Sequence, residues 1–192
     1  MPSFFSNPIV AVASIVLFIV AAVALGVWMK HRKTRTLAFK NRFGSEYDRA
    51  VLTHGSADKA EAKLAARENR VDALKIRELG ATERDRFVTE WHTVQARFVD
   101  HPKAAVTEAD DLINSLLEAR GYPKSSFEQR AADVSVHYPR VMENYRIAHD
   151  IAVRPGLVDA STEELRTAMI KYRDIFDDLL QAQIPVAAKS AA

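Results

Sequence analysis

Residues 9–29 read IVAVASIVLFIVAAVALGVWM, an unbroken apolar run without a single charged side chain. An α-helix rises about 1.5 Å per residue, so this run would span roughly 31 Å, which matches the hydrocarbon core of a bilayer. The run therefore predicts one membrane-spanning helix near the N-terminal end of the sequence.

A cleaved signal peptide is the alternative explanation for this apolar run. Such a peptide begins with a basic segment and has an apolar core of about 7–15 residues. Residues 1–8 carry no charged side chain, and the run at 9–29 is longer than such a core. The Ala-Val-Ala sequence at 22–24 resembles a cleavage site, but the apolar run continues past it. We therefore expect an uncleaved anchor.

The segment that follows the apolar run is strongly basic. Residues 30–42 contain six Lys or Arg and no acid, whereas residues 1–8 contain neither. Segments rich in Lys and Arg stay on the cytoplasmic side of a membrane. We expect a single-pass protein of the plasma (inner) membrane, with its N-terminus outside and its C-terminal domain in the cytoplasm. The residues expected to contact lipid and set this topology are Trp28, Lys30, Arg32, Lys33, Arg35, Lys40 and Arg42.

Nucleic-acid binding is another possible role for a basic segment. Without the six cations of residues 30–42, the chain has 21 Lys and Arg against 25 Asp and Glu, so residues 43–192 carry a charge of about −4. A nucleic-acid-binding domain normally presents a clustered basic face. We therefore interpret residues 30–42 as a segment that lies on anionic headgroups, and we expect no nucleic-acid partner.

The rest of the sequence shows helical periodicity almost throughout. The chain has only six glycines, and the β-branched alternation of strands is missing. The heaviest apolar stripe, which should form the centre of the core, consists of Phe87, Trp91, Val94 and Phe98. We predict an all-α fold, with a single N-terminal transmembrane helix followed by an antiparallel bundle of roughly four or five helices.

The predicted organisation follows from breaks and capping residues along the chain. The segments are a short tail (1–8), the transmembrane helix (9–29), the basic juxtamembrane segment (30–42), a lead-in with a long exposed helix (43–80), the bundle (81–183) and a flexible tail (184–192). We predict helices over 45–52, 57–79 after Ser56, 83–99 after Thr82, 102–120, 127–135, 139–153 and 162–183. Residues 154–156 should form a break, and Ser161 with Glu164 should form a capping box.

Sequence motifs for catalysis and metal binding are missing. Without cysteine, the chain has no disulfide, no reactive thiolate and no Cys-type zinc site. It also lacks the Glu-x-x-His pairs of di-iron bundles, the His-Glu-x-x-His motif, an EF-hand loop, a glycine-rich phosphate loop and the Gly-x-Ser-x-Gly motif. We therefore expect no cofactor, no metal and no catalytic residue, and we favour a role other than that of an enzyme.

The densest polar cluster of the second half lies between positions 128 and 146. A binding surface there would consist of Glu128, Arg130, Asp133, His137, Arg140, Glu143, Tyr145 and Arg146. Asp133 and His137 are four residues apart on a possible helix, so they could meet, although Pro139 is close. A solvated helix face with a buried Arg–carboxylate pair is the more ordinary interpretation of such a cluster.

Several stretches between position 43 and about position 180 resemble a family of uncharacterised bacterial proteins, often found in actinobacteria and acidobacteria. The resembling stretches are FGSEYDR (43–49), WHTVQARFVD (91–100), ARGYP (119–123), FEQRAAD (127–133), HYPRV (137–141) and ENYR (143–146). The resemblance implies a helical domain attached to a membrane by one N-terminal helix. It implies no activity, no catalytic residue and no cofactor.

The leading functional hypothesis is a membrane-tethered interaction or scaffolding module that recruits an unknown protein partner, or self-associates, at the inner face of the membrane. One alternative is a ligand-binding protein or enzyme with a polar pocket around Asp133, His137, Arg140 and Tyr145. Another is an envelope-facing domain in the reversed topology, which the basic flank argues against.

Overall fold

The computed structural model describes residues 8–154 and 160–181, and every regular element in those ranges is helical. The elements are α1 (Pro8–Phe43), α2 (Ser45–His54), α3 (Ala57–Asp72), α4 (Ala81–Asp100), α5 (Pro102–Ala119), α6 (Phe127–Val134), a 3₁₀ turn (Pro139–Val141), α7 (Met142–Ala152) and α8 (Thr162–Gln181). The prediction of an all-α fold is confirmed. The chain divides into two compact units, residues 1–42 and 43–192.

The first unit is dominated by the long helix α1. Its most apolar 18-residue window has a mean hydropathy of 2.6, and none of that window is buried. The helix continues without a break through the basic segment, and Lys40 and Arg42 lie in its last turn, where cations offset the negative end of the helix dipole. By length and composition, this helix can cross a membrane.

The core of the second unit is formed by α4, α5, α7 and α8. Phe87, Trp91 and Val94 of α4 are buried as the stripe predicted, while Phe98 is half-buried. The Trp91 ring stacks on Phe176 of α8, with centroids 4.9 Å apart and planes 13° apart. Helices α5 and α8 each bury an apolar face as well, and Leu180 of α8 is half-buried. A single residue joins α4 to α5, which is typical of antiparallel neighbours.

The predicted helix over 57–79 is wrong in length and in exposure. Helix α3 ends at Asp72, and it buries Ala60, Glu61, Leu64 and Val71. After α3, an irregular segment carries Leu79 into the core, and the N–H of Arg77 donates to the Arg120 carbonyl over 2.8 Å. Burial of apolar side chains here outweighs the helix propensity of the local sequence.

Gly121 packs against the backbone of the same irregular segment. Its φ is +96°, and a Cβ atom at this position would lie 2.4 Å from the carbonyl oxygen of Lys75. Only glycine lets the chain reverse after α5 while residues 73–79 pass directly over the turn.

The start of α4 also differs from the prediction. The helix begins at Ala81, and the N–H of Gly80, not the side chain of Thr82, takes part in the cap by donating to Glu83 Oε2 over 3.0 Å. Hydrogen bonds from Arg77 and from the Gly80 N–H lower the pKa of Glu83 to about 2. The Glu83 carboxylate thus accepts a hydrogen bond from a backbone N–H at the start of α4 that has no partner within the helix. It takes the place of the Thr82 hydroxyl that the sequence suggested as the cap.

Helix α7 begins three residues later than predicted, at Met142, because residues 139–141 form a 3₁₀ turn, and the remaining helix ends lie within two residues of the prediction. Ser161 and Glu164 form the predicted capping box, with the Glu164 N–H donating to Ser161 Oγ over 3.2 Å and the Ser161 N–H to Glu164 Oε2 over 2.9 Å. Helix α8 is described as far as Gln181. The predicted tail at 184–192 lies outside the described residues, as do positions 155 and 156 of the predicted break.

Candidate functional site

A polar cavity of about 190 Å³ lies between helices α2, α3, α6 and α7. Most of its lining comes from α2, and single residues come from the other three helices. The lining residues are Glu46, Arg49, Ala50, Thr53, His54, Arg67, Glu128 and Arg146. A concave site with convergent charged groups is where a small ligand would bind in a helical domain.

The floor of the cavity is a buried ion pair between Glu46 and Arg146. Arg146 Nε and Nη2 lie 3.3 Å from Glu46 Oε1 and Oε2, respectively. Its Nη1 donates to Glu128 Oε2 over 3.2 Å, so one guanidinium bridges two carboxylates. Burial alone would lower the pKa of Arg146, but the hydrogen bonds it donates to Glu46 and the charge attraction of Glu46 and Glu128 outweigh that effect and raise it. Such paired, fork-shaped contacts hold Arg146 rigidly.

Arg67 of α3 adds a second cation beside the same carboxylate. Its Nη1 lies 3.7 Å from Glu46 Oε2 and 3.5 Å from the Ser135 hydroxyl. Burial lowers the pKa of Arg67, Glu46 opposes that shift, and the neighbouring Arg146 adds to it. Two guanidinium groups therefore share one buried carboxylate, while Glu128 gives Arg146 a second carboxylate partner.

The predicted binding cluster is divided among several contacts. Glu128 and Arg146 meet at the cavity, whereas Arg130 Nε donates to the Tyr145 hydroxyl over 3.0 Å. Asp133 is paired with Arg70, with Nη2 and Oδ2 3.3 Å apart.

His137 lies elsewhere in the fold. Its Nδ1 is 2.8 Å from the Tyr122 hydroxyl, and Arg140 and Glu143 are exposed. Helix α6 ends at Val134, so Asp133 and His137 do not share the single helix that their spacing suggested. The geometry thus places the members of the predicted Asp133–His137–Arg140–Tyr145 pocket among different neighbours.

Asp133 nevertheless has an unusual environment. Its side chain is 1% exposed, and the Gln129 amide donates to its Oδ1 over 2.8 Å. Burial raises the pKa of Asp133, and the hydrogen bond from Gln129 and the charge of Arg70 only partly offset the shift. This carboxylate connects α3 to α6 and does not line the cavity.

A second polar network, which the sequence analysis missed, connects α5, α7 and α8. Asp110 Oδ1 accepts from the Tyr172 hydroxyl over 2.8 Å and lies 3.0 Å from His149 Nδ1. Burial disfavours the Asp110 charge, but hydrogen bonds from His149 and Tyr172 outweigh it and hold the pKa of this carboxyl below its usual range. The His149 ring stacks on Phe127, with centroids 3.7 Å apart.

This network continues through Asn114 and Tyr145. The Tyr145 hydroxyl donates to Asn114 Oδ1 over 3.2 Å and accepts from Arg130. Burial, opposed by Arg130, raises the pKa of Tyr145 to about 12. A signal for the network exists in the sequence, because Asp110 falls four residues after Val106 and three before Ile113, at the spacing of one apolar helix face.

An Asp–His pair can orient a histidine for general-base catalysis. His149 lines neither the polar cavity nor the groove of about 170 Å³ between α4 and α8. That groove is lined by Gln95, Phe98, Arg166, Met169, Ile170 and Arg173. We therefore interpret the Asp110 network as a polar tie between helices.

No protein-family model, no curated protein and no solved structure matches this chain. Within residues 8–154 and 160–181, no group of three or more histidine or acidic side chains is arranged to hold a metal ion. The functional proposal therefore rests on the geometry of the molecule itself.

Proposed function

We propose that this protein is a membrane-anchored interaction module, in which α1 spans the inner membrane and the helical domain recruits a partner protein in the cytoplasm. The observation that carries the proposal is the exposure of α1. Every large apolar side chain described between Val12 and Met29 is more than half exposed, from 54% at Val16 to 75% at Phe18.

Such a surface is costly in water. Burying one large apolar side chain is worth about 1.5–3 kcal/mol, so the dozen on α1 together represent tens of kcal/mol. Because a helix satisfies its own backbone hydrogen bonds, lipid can cover this surface without further rearrangement.

The orientation follows from the distribution of charge along the chain. All six cations near the apolar run follow it, within residues 30–42. Each Lys or Arg near an anionic cytoplasmic leaflet contributes about 1 kcal/mol, which supports a cytoplasmic position for the segment.

The groove between α4 and α8 supports the recruitment role. Met169 and Ile170 contribute apolar surface to it, with Ile170 40% exposed, and Arg173 brings positive charge, while Arg166 is paired with Glu163. A helical or extended segment with apolar and acidic side chains is complementary to this combination.

Reporter fusions test the anchor and its orientation. The C-terminus of the full chain is fused to a reporter active only in the cytoplasm and, separately, to one active only outside the membrane. We expect the cytoplasmic reporter alone to be active, with the protein in the membrane fraction. An active external reporter would contradict the proposed orientation and favour an envelope-facing domain, and a soluble fusion would contradict the anchor.

Crosslinking in intact membranes tests recruitment. The substitution Ile170→Glu places a charge in the groove, and Ile147→Glu, at a site 37% exposed on α7, is the matched control. We expect a specific crosslinked partner that the first substitution removes and the second retains. A crosslinked product that both variants retain, or none under several growth conditions, would contradict the role of the groove.

A further inference from the structure

We propose that the cavity between α2, α3, α6 and α7 binds a small molecule through an oxyanion group, a phosphate or a carboxylate, held by Arg49 and Arg67. This site is independent of the proposed interaction role, which rests on α1 and on the groove between α4 and α8.

The first support is the charge of the lining. Three arginines, at positions 49, 67 and 146, face two carboxylates, Glu46 and Glu128. The lining therefore has a surplus of one positive charge. A cavity whose cations outnumber its anions attracts an anionic ligand.

The second support is the supply of unused hydrogen-bond donors. Arg146 already directs three nitrogens at Glu46 and Glu128. Arg67, by contrast, uses only Nη1 in the contacts described above, and a guanidinium has five N–H donors. Within the described part of the chain, the guanidinium of Arg49 shows no hydrogen bond or ion pair, so it is available to a ligand.

The third support is preorganisation. Glu46 is 4% exposed, and its contact with Arg146 fixes the floor of the cavity and neutralises the carboxylate that would otherwise repel an anion. The same carboxylate holds Arg67 at 3.7 Å, which places that guanidinium against the cavity and limits its rotamers. A planar guanidinium held in this way suits the fork-like recognition of phosphate or carboxylate.

The size of the site limits the ligand. A volume of about 190 Å³ has room for a few water molecules or a small organic anion, and it is below the 300–1,000 Å³ typical of drug-sized ligands. Two sources of the oxyanion fit this volume. One is a soluble metabolite, and the other is the phosphate of an anionic lipid headgroup, whose charge is not balanced by a choline group, because α2 begins only three residues after the basic segment ends at Arg42.

The test uses the full chain in nanodiscs of zwitterionic phosphatidylcholine. Inorganic phosphate and succinate are titrated at constant ionic strength, with chloride as the balancing anion, and binding is followed by calorimetry and by the unfolding temperature of the domain. If the oxyanion is soluble, we expect saturable binding of at least one probe, weakened at least fivefold by Arg49→Gln and by Arg67→Gln.

Arg84→Gln is the matched control. It removes one charge from an exposed arginine of α4 that does not line the cavity, and it should leave binding unchanged. Because Arg67 also contacts Glu46 and Ser135, its replacement could weaken folding, so Arg49→Gln at an exposed position keeps the test decisive.

The lipid arm repeats the unfolding measurement without soluble oxyanion, after part of the phosphatidylcholine is replaced by phosphatidylglycerol. A rise in unfolding temperature that Arg49→Gln and Arg67→Gln remove, and that Arg84→Gln retains, would identify a headgroup as the source. No response in either arm, or a response that the cavity variants retain, would overturn the proposal.

Discussion

Glu46 of α2 and Arg146 of α7 are one hundred residues apart in the sequence, yet they form a buried ion pair through two N–O contacts of 3.3 Å. The pair connects the beginning of the second unit to its later helices, and it forms the floor of the polar cavity. Its stability therefore affects both the fold and the proposed ligand site.

Removal of one partner of this pair should be strongly destabilising. We expect Arg146→Met to lower the free energy of unfolding by about 3–5 kcal/mol, because it leaves Glu46 buried without its main counter-ion. The measurement is denaturant unfolding of the full chain in detergent, followed by circular dichroism.

The control is Arg166→Met, which breaks the exposed pair between Arg166 and Glu163. That change should cost far less, because solvent screens an exposed ion pair. The double variant Glu46→Leu with Arg146→Met should recover part of the stability lost in Arg146→Met alone. If the two single variants lost equal amounts of unfolding free energy, burial would not determine how much an ion pair contributes to the stability of this domain.

Asp110 should make stability depend on pH in the acid range. Its pKa in the folded state is lower than in the unfolded chain, where an aspartate has a pKa of about 3.9. The network therefore stabilises the fold fully above about pH 4, and this contribution is lost as the pH falls through the lowered pKa.

The variant Asp110→Asn should lose about 1.5–3 kcal/mol at neutral pH, because hydrogen bonds to a charged carboxylate are replaced by weaker ones. It should also lose less stability than the wild type between pH 5 and pH 3. The neighbouring exposed residue gives the control Asp111→Asn, which should leave both quantities unchanged. Parallel acid unfolding curves for the wild type and Asp110→Asn would argue against the assigned role.

Gly121 should tolerate no side chain. We expect Gly121→Ala to cost more than about 2 kcal/mol, because it adds the strain of a positive φ to a clash with the Lys75 carbonyl. Gly55 is the control, since its φ is also positive, at +77°, but a Cβ there meets nothing within 4 Å.

Gly55→Ala should therefore cost only about 1–2 kcal/mol, the strain alone. Thermal unfolding of both variants under identical conditions measures the difference. Equal shifts in unfolding temperature would mean that the segment at 73–79 moves away without cost.

The stacking of Trp91 on Phe176 gives a spectroscopic prediction. Phe176→Ala should destabilise the domain by about 3–5 kcal/mol and shift the emission of Trp91 to longer wavelength as water gains access. The chain has two tryptophans, so the measurement uses a Trp28→Phe background with selective tryptophan excitation, in which Trp91 is the only tryptophan. Leu180→Ala, at a half-buried site on the same helix, should cost less and leave the emission unchanged.

The candidate site could be predicted from the sequence only in part. The cluster between positions 128 and 146 contains Glu128 and Arg146, which do line the cavity, but their partners Glu46 and Arg67 are far away in the chain. A spacing rule finds neighbours on one helix and cannot find pairs between helices. Asp110 illustrates the opposite case, because its position on an apolar stripe already indicates a buried carboxylate.

The sequence by itself determined the all-α fold class, the apolar helix α1, the core stripe of α4 and the capping box at Ser161. Each depends on interactions within a few residues, such as periodic apolar side chains or a hydroxyl that accepts an N–H three positions later. Only tertiary packing determined that α3 ends at Asp72 and that residues 73–79 pass too close to position 121 for any residue but glycine. It also determined that Glu46, Arg67 and Arg146 converge on one cavity. Those features depend on contacts between segments distant in sequence, whose energies exceed local propensity and leave little trace in the order of the residues.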